Sequence, residues 1–455
     1  MPEGFTGRGR IAPSSESANA LRQEWEARRA HKDEGTYARA GYRELREREH
    51  EIAKMIGVPD AALFNAGMAA IATVVESEGF RPGDVVLCGK DMYHETKHMI
   101  ESLSKRGVRV IFVDGGNMDE LGRAIASERP RAIFLETTAN SVDMRVLDIP
   151  ALSALIEQTE GRYRDEYNPG VLLDAFLSSR PYAEHISPKA RKIFLSEVEE
   201  FKNGSNPMVF RNTVRQIEEA SQLSRSESVR ETSRAVSYLL SEERSSLHLI
   251  LDNTLSSPVL RNPLNEIGDS KATTIVVESG TKHYQAGADQ ITLGLTYTND
   301  PAELDKIKDT RRTLGTYLQP NDEKLLPQEL DRRMEETVRR QAAHALELAK
   351  LVETLPGVHE VFHPNLPSHQ DHDLADAIAP QGLTTVFYLT VDDPMKFVDV
   401  LKRVAGDSIE IGTSFGHEKT RLSPRVQGEL RIAAGAESDE EFAHLAQCFR
   451  EAFIQ

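Results

Sequence analysis

The residues best able to do chemistry in this 455-residue chain lie at the ends of short apolar runs. The sharpest group is Glu278-Ser279-Gly280-Thr281-Lys282-His283-Tyr284, directly after the apolar run 274–277. A lysine at a strand end, among small hydroxyl residues, can be partly desolvated. Its pKa then falls, and the amine becomes a usable nucleophile for Schiff-base chemistry. The Ser279 and Thr281 hydroxyls suit a phosphate. An ordinary solvent-facing lysine is the plainer alternative for the same residues. The run 247–251 ends in Asp252-Asn253-Thr254, placing a carboxylate where it could hold a protonated ring nitrogen or simply cap a turn. In Phe64-Asn65-Ala66-Gly67-Met68-Ala69-Ala70 a glycine opens a helix-forming run. Backbone N–H groups at such a start, with no side chain at Gly67, cradle phosphate or merely begin a helix.

Positioning these groups requires a sheet. Apolar, often β-branched runs at 85–88, 108–113, 132–135, 247–251, 274–277 and 291–295 alternate with amphipathic stretches. Mostly apolar runs of four to six residues with helix-like segments between them are expected of a parallel sheet covered on both faces. Ligands of such sheets sit at the carboxyl edge, where Asp252 and Lys282 fall. The stretch 157–247 breaks the rhythm and reads as mostly helix, with a possible strand at 171–174. Beyond residue 301 the pattern predicts a long helix over 327–355, strands at 358–362, 384–390 and 430–432, and a helix over 394–404. This tail reads as a smaller α+β domain. The expected division is an arm over 1–57 with a helix near 17–32, a large domain over 58–305 and a small domain over 306–455.

Composition bounds the function. Lys+Arg number 55 against 72 Asp+Glu, a net charge of −17, which argues against a general nucleic-acid binder. Two cysteines, Cys88 and Cys448, supply neither a disulfide framework nor a thiolate metal cluster. No secretory leader and no apolar run of bilayer length is visible, so a cytoplasmic protein without membrane partners is expected. Gly83 to Gly89-Lys90 fails as a P-loop on spacing and on Asp91, and no Gly-x-Gly-x-x-Gly follows an early strand. His363, His369 and His372 fit no metal-ligand spacing and read as a solvated loop, so no metal is expected. His248 reads as a packed strand residue.

Taken in chain order, the lysine, the aspartate and the glycine resemble the Cys/Met-metabolism family of pyridoxal-phosphate enzymes, of fold type I. Further positions extend the likeness. Tyr37-Ala38-Arg39 resembles the family's Tyr-x-Arg, and Gly67-Met68 its Gly-Met. Tyr93 in Tyr-His-Glu-Thr matches the ring-stacking aromatic, and Glu136-Thr-Thr-Ala-Asn140-Ser resembles Glu-Thr-Pro-x-Asn-Pro, followed by Asp148-Ile149. Ser414-Phe415-Gly416 resembles Ser-Leu-Gly, and Arg431 lies in Leu-Arg-Ile-Ala-Ala-Gly. The resemblance implies pyridoxal 5'-phosphate as cofactor and a mostly parallel seven-stranded-type sheet with helices on both faces. Lys282 would be the covalent attachment point and proton carrier, with Tyr93 stacking on the ring and assisting. Asp252 would hold the ring nitrogen with Thr254 beside it, and Asn140 would contact the phenolic oxygen. Ser279, Thr281, Gly67 and Met68 would bind the phosphate, joined by Tyr37 and Arg39 from a neighbouring subunit of a homodimer or homotetramer. Ser414 and Arg431 would bind the substrate, Arg431 gripping its carboxylate.

Several positions depart from the family pattern. Thr138 and Ser141 replace both prolines, Ala286-Gly287-Ala288-Asp289 replaces Gly-His-Ser-Asp, and Glu95 stands where methionine γ-lyases carry cysteine. The insertion over 157–247 is also longer than the short connection expected. These departures point away from the usual sulfur substrates. The leading expectation is a lyase performing γ-elimination on a γ-substituted L-amino acid, such as a γ-halogenated allylglycine. A γ-replacement enzyme of the cystathionine γ-synthase or O-acylhomoserine sulfhydrylase type stands as the alternative. A cofactor-binding scaffold without turnover is the remaining one.

Overall fold

The computed structural model describes residues 41–165, 192, 247–268, 272–327, 329–425 and 428–454. Tyr37, Arg39 and the arm helix near 17–32 lie outside the described residues. So does the insertion between 165 and 247, with its candidate strand, apart from Lys192.

Seven strands build the main sheet: β1 (Ala61–Phe64), β2 (Val85–Gly89), β3 (Arg109–Val113), β4 (Ala132–Glu136), β5 (His248–Asp252), β6 (Thr273–Glu278) and β7 (Gly294–Thr298). Their spatial order is β1-β7-β6-β5-β4-β2-β3, and only β7 runs antiparallel to its neighbours. The mostly parallel seven-stranded sheet expected from the sequence is therefore present. Strand side chains alternate between faces with a period of two. Phe134 of β4 and Ile250 of β5 join one core with Val74 and Ile307, while Ile133, Leu135, Leu249 and Leu251 join another with Leu121 and Leu152. Both faces being buried is why the strands read as continuous apolar runs rather than alternating ones.

The covering helices are α1 (Arg43–Ile56), α2 (Gly67–Ser77), α3 (His94–Glu101), α4 (Met118–Glu128), α5 (Ile149–Asp165) and α6 (Pro301–Leu314). Helix α6 starts where the Asp300 carboxylate accepts the Ala302 N–H at 2.9 Å, with Pro301 in its first turn. It ends at Gly315, which takes the left-handed φ of 73°. This helix runs across the position 305/306 expected to divide the domains, and its Leu304 and Ile307 pack into the core of the large sheet.

The C-terminal portion holds a five-stranded sheet in the order β10-β11-β12-β9-β8. Its strands are β8 (Val358–Phe362), β9 (Val386–Val391), β10 (Ile409–Ile411), β11 (Thr420–Pro424) and β12 (Glu429–Ala433). Helices α7 (Leu330–Val352), α8 (Pro394–Ala405) and α9 (Asp439–Ile454) supply the rest of this core, through Leu348, Leu401 and Phe449 among others. Three strands escape the sequence pattern. β1 and α2 together read as one apolar stretch, β10 has three residues, and β11 carries Arg421 and Pro424. β7 starts at Gly294 rather than 291, because Leu293 bonds to the turn that carries Lys282, as described below. Cys88 and Cys448 are free and buried.

Candidate active site

The carboxyl ends of β4, β5 and β6 put three acidic or basic groups side by side. Asp252, the last residue of β5, is buried, and its carboxylate accepts the Thr254 N–H at 2.9 Å. Burial raises its pKa, and the Thr254 hydrogen bonds oppose that shift. The Thr254 hydroxyl in turn accepts the Ser279 N–H at 2.9 Å, so the asparto loop and the lysine loop are tied together. Opposite Asp252 in the parallel register is Glu136, the last residue of β4. Burial, then the neighbouring Asp252 charge, pushes the Glu136 carboxyl up to about 8.

Lys282 sits in a single helical turn, Gly280–His283, directly after β6. A Cβ on Gly280 would lie 2.7 Å from the Leu293 side chain, so the turn presses against that segment. Thr281 N donates to the Leu293 carbonyl at 3.1 Å, and the Thr281 hydroxyl accepts the Leu293 N–H at 2.8 Å. Thr281 thus holds the turn in place, a role its hydroxyl performs in addition to any contact with phosphate. The Lys282 amine donates to Ser414 Oγ at 2.7 Å and lies 5.3 Å from the centre of the Phe415 ring. Burial lowers its pKa first, the Arg431 charge lowers it further, and Asp289 opposes. His283 is buried 5.5 Å from Phe415, and burial holds it down at about 3, so it is neutral.

The loop carrying Ser414 is locked to the lysine turn by shape. Gly416 adopts φ of 81°, and a Cβ there would stand 1.6 Å from the Lys282 carbonyl oxygen. Gly287 also pairs with His417 in a parallel bridge. Elements of the large and small sheets therefore meet at the lysine.

Gly67 opens α2, whose first N–H groups have no intrahelical acceptors. A Cβ at Gly67 would come 2.9 Å from Ser279 Cβ and 3.1 Å from its hydroxyl, so the helix start lies directly against the serine and only glycine fits there without displacement. Met68 follows and its sulfur accepts a long hydrogen bond from Thr96 at 3.7 Å. Tyr93 caps α3 with its side chain 38% exposed, and its N–H donates to Glu136 at 2.7 Å. Asn140 N donates to the other Glu136 oxygen at 2.7 Å, and Asn140 Oδ1 accepts from the Tyr388 hydroxyl at 3.4 Å. Arg431 of β12 is buried opposite Tyr388 in the register and donates to the Thr413 carbonyl. Its Nε has no hydrogen-bond partner among the described residues.

The structure thus brings together Lys282, Asp252, Thr254, Ser279, Thr281, Gly67, Met68, Tyr93, Asn140, Ser414 and Arg431, with Tyr37 and Arg39 outside the described residues. Glu136 and Phe415, named within motifs but given no role, join them, as does Tyr388, which no motif contained. Glu136 offered a signal in being a carboxylate at a strand end, whereas Tyr388 sits inside a strand like any core residue. The histidine reading is corrected: His363 and His369 are buried rather than solvated. Each accepts the N–H two residues on, from Asn365 and Asp371 at 3.1 Å, a tight local turn that sequence spacing does not reveal. His248 is half-buried and pairs with Glu78 at 2.9 Å.

The profile of the Cys/Met metabolism PLP-dependent enzyme family matches residues 10–162 and 234–426. The chain belongs to that family. The cystathionine γ-synthase of Escherichia coli strain K12 is 24% identical over 397 residues, covering 85% of this chain and 77% of that protein. A cystathionine β-lyase of Lactococcus lactis subsp. cremoris is 23% identical over 424 residues, covering 89% and 85%. Among solved structures, the cystathionine γ-lyase of Lactobacillus plantarum superposes with a TM-score of 0.63 at 19% identity, covering 93% of this chain and 90% of that one.

Membership makes pyridoxal phosphate the cofactor of this PLP-dependent enzyme, and the residues fit it. The close approach of Gly67 to Ser279, which only glycine allows, sets the N–H groups of a helix start beside the Ser279 hydroxyl, a donor set that suits a phosphate. Asp252 is a buried carboxylate at the depth of the sheet edge, and Lys282 is an amine with a lowered pKa. The buried Arg431 Nε is a donor without a hydrogen-bond partner among the described residues. Among the described residues no helix is long and apolar enough to cross a membrane.

Proposed function

We propose that this family member catalyses γ-elimination on a γ-substituted L-amino acid, working as a homodimer or homotetramer. The observation that carries the reading is the Lys282 amine, which is held by one hydroxyl at 2.7 Å rather than by a carboxylate. Elimination at Cγ requires protons to leave both Cα and Cβ, so a base serving two adjacent carbons must be neutral and able to move. Burial and the Arg431 charge favour the neutral amine, and a neutral hydroxyl releases it at low cost.

The residues divide the remaining work. Asp252, Tyr93, Asn140, Ser279 and the start of α2 would hold pyridoxal phosphate, which when bound supplies an electron sink for charge developing at the substrate's Cα. Arg431 would pair with the substrate carboxylate in the bidentate manner its planar head favours, fixing where the Cα–H points. Ser414 would orient the lysine amine between proton transfers. The Phe415 ring beside Lys282 and Arg431 keeps that corner apolar, which strengthens the charge pairing. Tyr37 and Arg39 would complete the phosphate site from a neighbouring subunit.

Purified enzyme incubated with a panel of γ-substituted L-amino acids, γ-halogenated allylglycine included, should release the leaving group and a keto acid or an unsaturated product. K282A should release neither. Release only from β-substituted amino acids would move the reaction to Cβ and overturn the proposal. Thioether formation on adding a thiol would assign γ-replacement instead, and no turnover with any member would leave a binding scaffold.

A further inference from the structure

Glu136 sits where a carboxyl group is expensive. It ends β4 beside Asp252 in the register, and burial together with that second acid disfavours its charge. A neutral side chain of similar size would remove the repulsion, so what the carboxylate contacts is informative. Its two oxygens accept two backbone N–H groups from different segments. Oε1 takes the N–H of Tyr93, 43 positions earlier, at 2.7 Å, and Oε2 takes the N–H of Asn140 at 2.7 Å. Tyr93 has no side-chain cap at the start of α3, and its ring makes an edge contact with His94 at 4.7 Å. The residue meant to lie on one face of the ring and the residue meant to reach its oxygen are thus fastened to one group.

We propose that Glu136 is a positioning residue of the cofactor site, a clamp whose single carboxyl group fixes Tyr93 and Asn140 relative to Asp252 and so sets the tilt of the bound ring. The proposal rests on the reading that this sheet edge holds pyridoxal phosphate. Geometry makes the clamp fragile in a specific way. In E136Q one oxygen still accepts an N–H, but the amide nitrogen faces the other N–H as donor against donor. In E136D a carboxylate remains, shortened by one methylene, and cannot span both groups.

The test loads the full-length apoprotein with pyridoxal phosphate. Affinity is read from the visible absorption and ring tilt from the induced circular dichroism of the visible band. Both variants should keep the wild-type far-ultraviolet spectrum and bind the cofactor ~10–100-fold more weakly, the range set by leaving one buried backbone N–H without its acceptor. Both should show less than half of the wild-type induced signal per bound cofactor. Wild-type affinity and induced signal in either variant would overturn the proposal, and so would loss of the fold in both, which would make Glu136 structural only. Should E136Q alone fail to fold, E136D decides by the same two readouts. A wild-type protein that takes up no cofactor, or K282A that keeps the wild-type band, would instead remove the cofactor reading, and the proposal with it.

Discussion

Replacing Gly416 by alanine attacks the point where the loop between β10 and β11 meets the lysine turn. Two costs can be separated. Gly416 has φ of 81°, and an L side chain in the left-handed region costs about 1–2 kcal/mol. The new Cβ would also stand 1.6 Å from the Lys282 carbonyl oxygen and 2.4 Å from its carbon, atoms of backbone that cannot swing aside. Overpacking of this kind costs about 1–3 kcal/mol, so the total is about 2–5 kcal/mol if the loop stays in place. Gly315 provides the control, because it has φ of 73° and nothing within 4 Å of a Cβ. G315A should therefore carry the backbone cost alone, and the difference between the two variants isolates the clash. The cheaper response to the clash is withdrawal of the loop, which breaks the bond from Lys282 to Ser414 and exposes the amine.

Hydrogen exchange followed by mass spectrometry should show faster exchange over 280–289 and 413–418 in G416A, with G315A unchanged there. Cofactor affinity should fall about tenfold or more in G416A only, each factor of ten corresponding to about 1.4 kcal/mol. If G416A matches G315A in both measurements, the close approach of the loop to Lys282 is wrong.

Two other outcomes are expected. G67A should lower the affinity for pyridoxal phosphate and inorganic phosphate in equilibrium dialysis by ~10-fold from the lost cradle, and thermal unfolding of the apoprotein should show a loss of about 1–3 kcal/mol, because the new Cβ would stand 2.9 Å from Ser279 Cβ and 3.1 Å from its Cα. Glu278, buried against the Tyr284 and Tyr297 hydroxyls and Asn253, has its pKa raised to about 8, chiefly by burial. A carboxyl whose folded pKa is raised favours folding most when protonated, so this contribution is lost as pH rises from the ordinary value near 4.5 to about 8 and stays lost above. Denaturant titrations of apoprotein between pH 5 and 9 should show E278Q gaining on wild type over that interval, and a pH-independent difference would contradict it.

What the sequence makes legible follows from burial. Strands β2, β4, β5 and β6 are covered on both faces, so they appear as apolar runs, and the polar residues that stop them are the site itself: Glu136, Asp252 and Ser279. β1 is hidden because only Asn65 and Ala66 separate it from α2, too little polarity to mark a boundary. The histidines at 363 and 369 mislead because each buried ring takes the N–H two residues on at Nδ1, a local bond without a compositional trace. Gly416, Tyr388 and Phe415 act through contacts with residues more than a hundred positions away, and no periodicity records those. The retained chemical groups are legible one by one, whereas the means by which they are held together are not.

The same distinction bears on the departures from the family pattern. At position 138 the antiparallel bridge to Val146 uses the N–H groups of Ala139 and Leu147, donating to Arg145 and Thr137, and leaves the N–H of Thr138 out of the pairing. A proline there would therefore cost this bridge no hydrogen bond, and the Thr138 hydroxyl adds a bond with Ser256 at 3.0 Å. Ser141 accepts the Met144 N–H in a turn, and Gly287 is spent on the bridge to His417. Thr138, Ser141 and Gly287 are engaged in local turns and bridges of the scaffold, so these replacements give no reason to disfavour sulfur leaving groups. Glu95 differs from them. It lies in the first turn of α3, two residues past Tyr93, and its carboxylate is 53% exposed and 3.2 Å from His94. A carboxylate beside Tyr93, the residue proposed to stack on the cofactor ring, is placed to act on what approaches, so substrate choice is better sought at Glu95 than in the missing prolines.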